Sequence, residues 1–235
     1  MTRVIEAILF DKDGTLFDFH ATWSSWAEAV IENLAAGSEA TRQALAKEVR
    51  FDLDAGRFAS DSPVIAGTHL EAATCLARAL PGRTPEALAA ELIDSAARAP
   101  LVEAAPLKEL LGDLSARGLA LGVMTNDSAA VAEAHLATAG IREMFAFVAG
   151  YDSGFGAKPD PAPLLAFADA VAIAPERILM VGDSTHDLHA GRAAGMKTAG
   201  VLTGPAGEAE LAPHADIVLP SIAALPDALD VFAKS

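Results

Sequence analysis

Six short apolar runs recur along the chain, and helical patterns separate most of them. The runs are Val4–Phe10, Leu119–Thr125, Phe145–Ala149, Ile178–Val181, Thr198–Leu202 and Asp216–Leu219. Leu107, Leu110, Leu111 and Leu114 repeat at helical spacing between Pro106 and Gly118. Ser128 caps a second helix that runs to Gly140, and Pro161–Ala172 and Asp187–Ala194 form two more. Strand alternating with helix predicts an α/β fold, a Rossmann-like parallel sheet with helices on both faces. Residues 17–100 break that rhythm. Trp23, Trp26, Ala27, Val30, Ile31 and Leu34 make a helical stripe, and further helices are predicted over Ser38–Phe51, Thr68–Leu80 and Thr84–Arg98. Thr84 caps the last of these, with Pro85 in its first position. With no convincing strand there, this stretch is predicted to be an inserted all-helical subdomain, and 1–16 with 101–235 the core.

At 235 residues and 52% hydrophobic, the chain has ample material for a buried core, and disorder is not expected. It carries 17 basic against 32 acidic residues, a net charge of −15. That argues against nucleic acid or an anionic membrane surface as a partner. An acidic protein that handles anions needs local positive charge, which a divalent cation can supply. Cys75, the single cysteine, excludes an internal disulfide framework and is expected to pack among apolar neighbours. The N-terminus has no signal-peptide pattern, and no apolar run approaches the ~18 residues of a membrane span. The expected location is cytoplasmic, as a monomer or homodimer.

Polar residues gather where the predicted strands end, which is where open α/β sheets place their ligands. Ile8-Leu9-Phe10 runs into Asp11-Lys12-Asp13-Gly14. Strand periodicity sends Asp11 and Asp13 to opposite faces, but a turn at Gly14 can bring Asp13 back. Read alone, the segment could be a solvated turn. An EF-hand fails, because its third ligand, its glycine and its closing Glu would fall on Thr15, Leu16 and Thr22. The second strand ends in Thr125-Asn126-Asp127, Lys158-Pro159 lies in the loop after the third, and the fourth ends in Gly182-Asp183-Ser184-Thr185-His186-Asp187. Each also has a plain structural reading as a cap, turn or exposed lysine. Gly154-Phe155-Gly156 lacks the third glycine of a dinucleotide fingerprint, and Gly156-Ala157-Lys158 is not a nucleotide phosphate loop. His186 and His189, three apart, are explained by a helix start rather than a metal pair.

In order and placement these four segments resemble the motifs of the haloacid dehalogenase superfamily, over the whole chain, with residues 17–100 in the place of its helical cap. The resemblance implies an Mg²⁺-dependent phosphatase that works through an aspartyl-phosphate. It implies Asp11 as nucleophile and metal ligand, and Asp13 as acid and base that offers its backbone carbonyl to the metal. Asp183 is a further ligand and Asp187 an outer or auxiliary one. Thr125 and the backbone N–H of Asn126 hold phosphoryl oxygens, and Lys158 neutralises their charge and pairs with the nucleophile. Asp13 argues against dehalogenation, because halide leaves without a proton.

The implied substrate is a small phosphorylated metabolite, phosphoglycolate-like or a sugar phosphate. Phe17-Asp18-Phe19-His20 departs from the usual run of phosphoglycolate phosphatases. A phosphomutase of the β-phosphoglucomutase type and a non-catalytic phosphate-binding module are the alternatives. Arg57, beside Gly56, is a candidate for a substrate carboxylate or second phosphate. Trp23 and Trp26 are expected to pack the helical insert.

Overall fold

A computed structural model of the chain describes residues 5–59 and 61–232. Val4, the expected first residue of the first strand, lies outside the described residues. Six strands form one parallel sheet: β1 (Ala7–Phe10), β4 (Ala120–Met124), β5 (Phe147–Ala149), β6 (Ile178–Gly182), β7 (Lys197–Val201) and β8 (Ile217–Leu219). Their order is β5-β4-β1-β6-β7-β8. The chain therefore leaves β1 for one side of the sheet and later returns to the other, so the carboxyl ends of β1, β4 and β6 lie side by side.

Both faces of the sheet are covered, which is why its strands read as continuous apolar runs. Within β1, Ile8 and Phe10 join a core with α6 (Leu107–Ala116) and α11 (Leu225–Phe232). Ala7 and Leu9 join the core on the opposite face with α8 (Ala162–Val171) and α9 (Thr185–Ala193). Gly122 in β4 lets Phe167 of α8 approach, since a Cβ there would lie 2.6 Å from its ring. The Ser128 cap is present at the start of α7 (Ala129–Thr138), where its side chain accepts from the Val131 N–H. α10 (Glu208–Leu211) precedes β8.

Between β1 and α6 lie α1 (Phe19–Ala35), α2 (Glu39–Glu48), α3 (Pro63–Ala66), α4 (His69–Ala77) and α5 (Pro85–Ala96). They share an apolar cluster of their own, to which Cys75 contributes as a partly buried packing residue. The strand-free expectation needs one correction. A short antiparallel hairpin, β2 (Phe51–Asp52) and β3 (Arg57–Phe58), is present. It presses Phe51 edge-on to Phe58, and two-residue strands leave no periodicity to read. The first helix also starts earlier than its aromatic stripe suggests, because the Asp18 side chain accepts from the Ala21 N–H and caps it. Among the described residues no helix is long and apolar enough to cross a membrane.

Candidate active site

The ends of β1, β4 and β6 and the loop bearing Lys158 open into one cleft of about 700 Å³, roofed by the insert. Asp11, Asp13, Thr125, Asn126, Lys158, Asp183 and Asp187 all line it. The expected turn after β1 is present, with Gly14 at φ +85° and its N–H donating 2.7 Å to the Phe17 carbonyl. Asp13 is thereby folded back into the cleft that Asp11 enters.

Asp11, Asp183 and Asp187 are buried, and each offers an oxygen within 4.8 Å of the others'. Like charges this close in a dry site repel strongly. Burial, with the charges of Asp187 and Asp13, pushes Asp11 up to about 7 although Lys158 pulls the other way. Burial and the charges of Asp11 and Asp187 hold Asp183 well above the usual carboxylate range. Glycine makes the crowding possible. A Cβ at Gly14 would come within 2.3 Å of the Asp183 carboxylate, and one at Gly204 within 1.7 Å. Three crowded hard oxygens with one nearby ammonium are a donor set that fits Mg²⁺.

Lys158 is the counterweight. Its Nζ lies 2.6 Å from Asp11 Oδ1 and 2.6 Å from Asp187 Oδ1, and it donates to the Met124 carbonyl at 2.9 Å. These carboxylates hold the buried ammonium charged, its pKa raised despite the cost of burial. Asn126 fixes the lysine's backbone from both sides: its amide donates to the Lys158 carbonyl and accepts from the Lys158 N–H, each at 2.9 Å. Thr125 Oγ1 accepts from the Asp127 N–H. Asp187 sits in the first turn of α9, where its Oδ2 accepts from the Ser184 N–H and hydroxyl. This capping box sets the carboxylate at the helix start, where the dipole favours it.

Sequence reasoning missed a second charged cluster behind the first. Lys12 is fully buried, 2.8 Å from Asp13 Oδ1, 3.1 Å from Asp127 Oδ2 and 3.1 Å from His135 Nδ1. Burial alone would discharge it, but Asp13 and Asp127 raise its pKa. In Asp127 the charges of Lys12 and His69 outweigh burial and hold the carboxyl below the usual range. His135 Nε2 lies 2.8 Å from the Ala96 carbonyl, which assigns the proton to Nε2 and leaves Nδ1 to accept from Lys12. Burial first, then the Lys12 charge, lowers its pKa. A lysine between two aspartates reads in sequence as a solvated turn, and His69, Asp127 and His135 are too far apart in the chain to have been linked to it.

One expected contributor falls outside this arrangement. Arg57 is exposed on β3 and is absent from the described cleft lining, so the structure does not bring it to the site. Its neighbour Gly56 lies near Glu28 of α1, where a Cβ would come within 3.1 Å of the carboxylate. His189 pairs with His214 at 3.2 Å on the exposed side of α9, whereas His186 lines the cleft. Trp23 and Trp26 do pack the insert, but both also line the cleft.

Residues 8–201 match the family of haloacid dehalogenase-like hydrolases. The chain belongs to this family. It is 34% identical over 195 residues to the phosphoglycolate phosphatase of Rhodospirillum rubrum, covering 81% of this chain and 77% of that one. It is 38% identical over 115 residues to the phosphoglycolate phosphatase of Escherichia coli (strain K12). That match spans about half of either protein, 48% of this chain and 46% of the relative. A crystal structure of a predicted phosphoglycolate phosphatase from Haemophilus somnus 129pt aligns with a TM-score of 0.71 at 22% identity, over 97% of this chain and 99% of that one. At that identity the likeness speaks for the fold.

Proposed function

We propose that the chain is an Mg²⁺-dependent phosphatase of small phosphorylated metabolites that works through an aspartyl-phosphate on Asp11. The observation that carries this reading is the position of Asp11, buried, clamped by Lys158 and crowded by Asp183 and Asp187 in a cleft that also holds Asp13. Asp11, Asp183 and the backbone carbonyl of Asp13 would hold the metal, with Asp187 beside them. Bound there, Mg²⁺ supplies the positive charge that lets a carboxylate approach an anionic phosphate.

Asp11 attacks phosphorus, a bond forms from its carboxylate oxygen, and the bond to the alcohol oxygen breaks. Asp13 gives that oxygen its proton and then takes one from the water that hydrolyses the aspartyl-phosphate. Thr125 and the Asn126 N–H hold phosphoryl oxygens, and Lys158 balances the charge that gathers on them. Residues 17–100 serve as a cap that limits water and bulky substrates.

Purified protein should release phosphate from an aryl phosphate only with Mg²⁺, and Asp11→Asn should abolish release. Failure of the wild-type protein on a broad set of small phosphate esters overturns the reading. Isomerisation of a hexose 1-phosphate without net phosphate release would favour the mutase instead.

A further inference from the structure

Resting on the phosphatase reading, we propose that the preferred substrate is a monoester whose alcohol part bears no second negative charge and presents a ring face. A hexose and an aryl group share this chemistry. Two independent features of the cleft carry the proposal, one electrostatic and one aromatic.

The electrostatic feature is the supply of cations. Lys158 is the only lysine or arginine among the described lining residues. It is committed to Asp11, Asp187 and the Met124 carbonyl. Lys12 is fully buried behind Asp13, and Arg57 stands outside. His69 already faces Asp127, 3.0 Å from its Oδ1. A carboxylate on the leaving group would therefore face Asp13 and Asp127 with only the His69 and His186 imidazoles, and no guanidinium or ammonium, to pair with, a costly arrangement. Hydroxyls suffer no such penalty, because carboxylates and imidazoles can bond them.

The aromatic feature is a rigid corner in the roof. Trp23 and Trp26 meet edge to face, with ring centroids 5.0 Å apart at 86°. Each indole is pinned by its N–H, Trp23 to Asp13 Oδ1 at 2.9 Å and Trp26 to Ser95 Oγ at 2.8 Å. Val64 and Ile65 extend the apolar wall. Trp23 is buried with its ring against Lys12 and His135, so the half-buried Trp26 is the indole that can meet a ring, and one already fixed in place loses little entropy on binding.

The test compares kcat/KM of the Mg²⁺-loaded protein for glucose 6-phosphate, 4-nitrophenyl phosphate, glycerol 3-phosphate and phosphoglycolate. At least one ring ester should exceed phosphoglycolate by about tenfold or more, and the sugar and aryl arms decide between the two sources. Trp26→Ala should lower the favoured ring ester about tenfold more than glycerol 3-phosphate, mainly through KM. Trp26→Phe, which keeps a ring, should restore most of the loss. A phosphoglycolate value equal to or above the ring esters overturns the proposal, as does an equal loss on every ester in Trp26→Ala.

Binding gives a readout independent of turnover. Trp23 and Trp26 are the only tryptophans in the chain, so their fluorescence reports the cleft directly. Quenching by glucose 6-phosphate or 4-nitrophenyl phosphate at lower concentration than by phosphoglycolate supports the proposal even in a protein without turnover, where the phosphatase reading alone would fail. The reverse order overturns it.

Discussion

The indole N–H of Trp23 donates a 2.9 Å hydrogen bond to Oδ1 of Asp13, joining the first helix of the insert to the turn that closes the first strand. Ten residues separate the two in the chain, and the same carboxylate also receives Lys12 Nζ at 2.8 Å. The group proposed to move protons is thus oriented jointly by the roof and by the buried cluster behind it. A carboxylate held by two donors has one orientation, and proton transfer depends on orientation as much as on acidity.

Trp23→Phe keeps an aromatic ring and removes only the donor. Hydrogen bonds to charged groups contribute about 1.5–3 kcal/mol, so kcat on glycerol 3-phosphate should fall at least about tenfold. An acyclic ester is chosen so that ring stacking does not enter. Steady-state kinetics on the folded variant checks this, and an unchanged kcat refutes the role given to the bond.

Lys158→Ala leaves Asp11 and Asp187 facing each other without their shared ammonium. The charge that Lys158 balances grows as phosphorus changes partners, so its loss bears on the chemical step more than on binding. The expected fall in kcat is about 10²–10³-fold, with a smaller change in KM. Turnover equal to wild type is the contrary result.

Lys12→Met removes the fully buried ammonium that Asp13 and Asp127 share, leaving His69 as the charged partner of Asp127. Breaking such a pair destabilises by about 3–5 kcal/mol, because the remaining charge keeps its desolvation cost. Urea unfolding monitored by circular dichroism should show a clearly lower midpoint at an unchanged slope. Replacement without loss of stability would mean that Lys12 contributes nothing net.

Mg²⁺ binding should release protons at mildly acidic pH. Free carboxylates ionise near 4, whereas Asp11 is held up to about 7 and Asp183 also well above its usual value. From about pH 4 to 7 Asp11 binds more protons folded than unfolded, and Asp183 is shifted in the same direction. The contribution of Asp11 to metal-free stability is therefore present at low pH and lost as pH rises through about 7. The metal needs both ionised, so its affinity should climb over that window. Calorimetry at pH 6 in two buffers of different ionisation enthalpy should reveal net proton release. Equal heats in the two buffers at pH 6 count against the coupling.

Local sequence was sufficient for the sheet strands and the capped helices, but α3, α10 and α11 went unread and the helix expected over Ser38–Phe51 ends at Glu48. The apolar runs 119–125 and 178–181 became β4 and β6 because strands buried on both faces must be apolar throughout. Ser128 and Thr84 cap the helices they precede, since an N-cap bond spans only three residues. The convergence of Asp11, Thr125, Lys158 and Asp183 was legible because strand ends share one edge of a parallel sheet and because the four segments resemble, in order, the motifs of a known family. Tertiary structure alone decided what touches those residues. The union of Lys12 with Asp127 and His135 depends on how α7 packs beside the strand ends, and the bond from Trp23 to Asp13 and the exclusion of Arg57 from the cleft depend on how the insert lies on the sheet. Such contacts join residues up to 123 positions apart, and they follow from side-chain packing between layers, which no periodicity along the chain encodes.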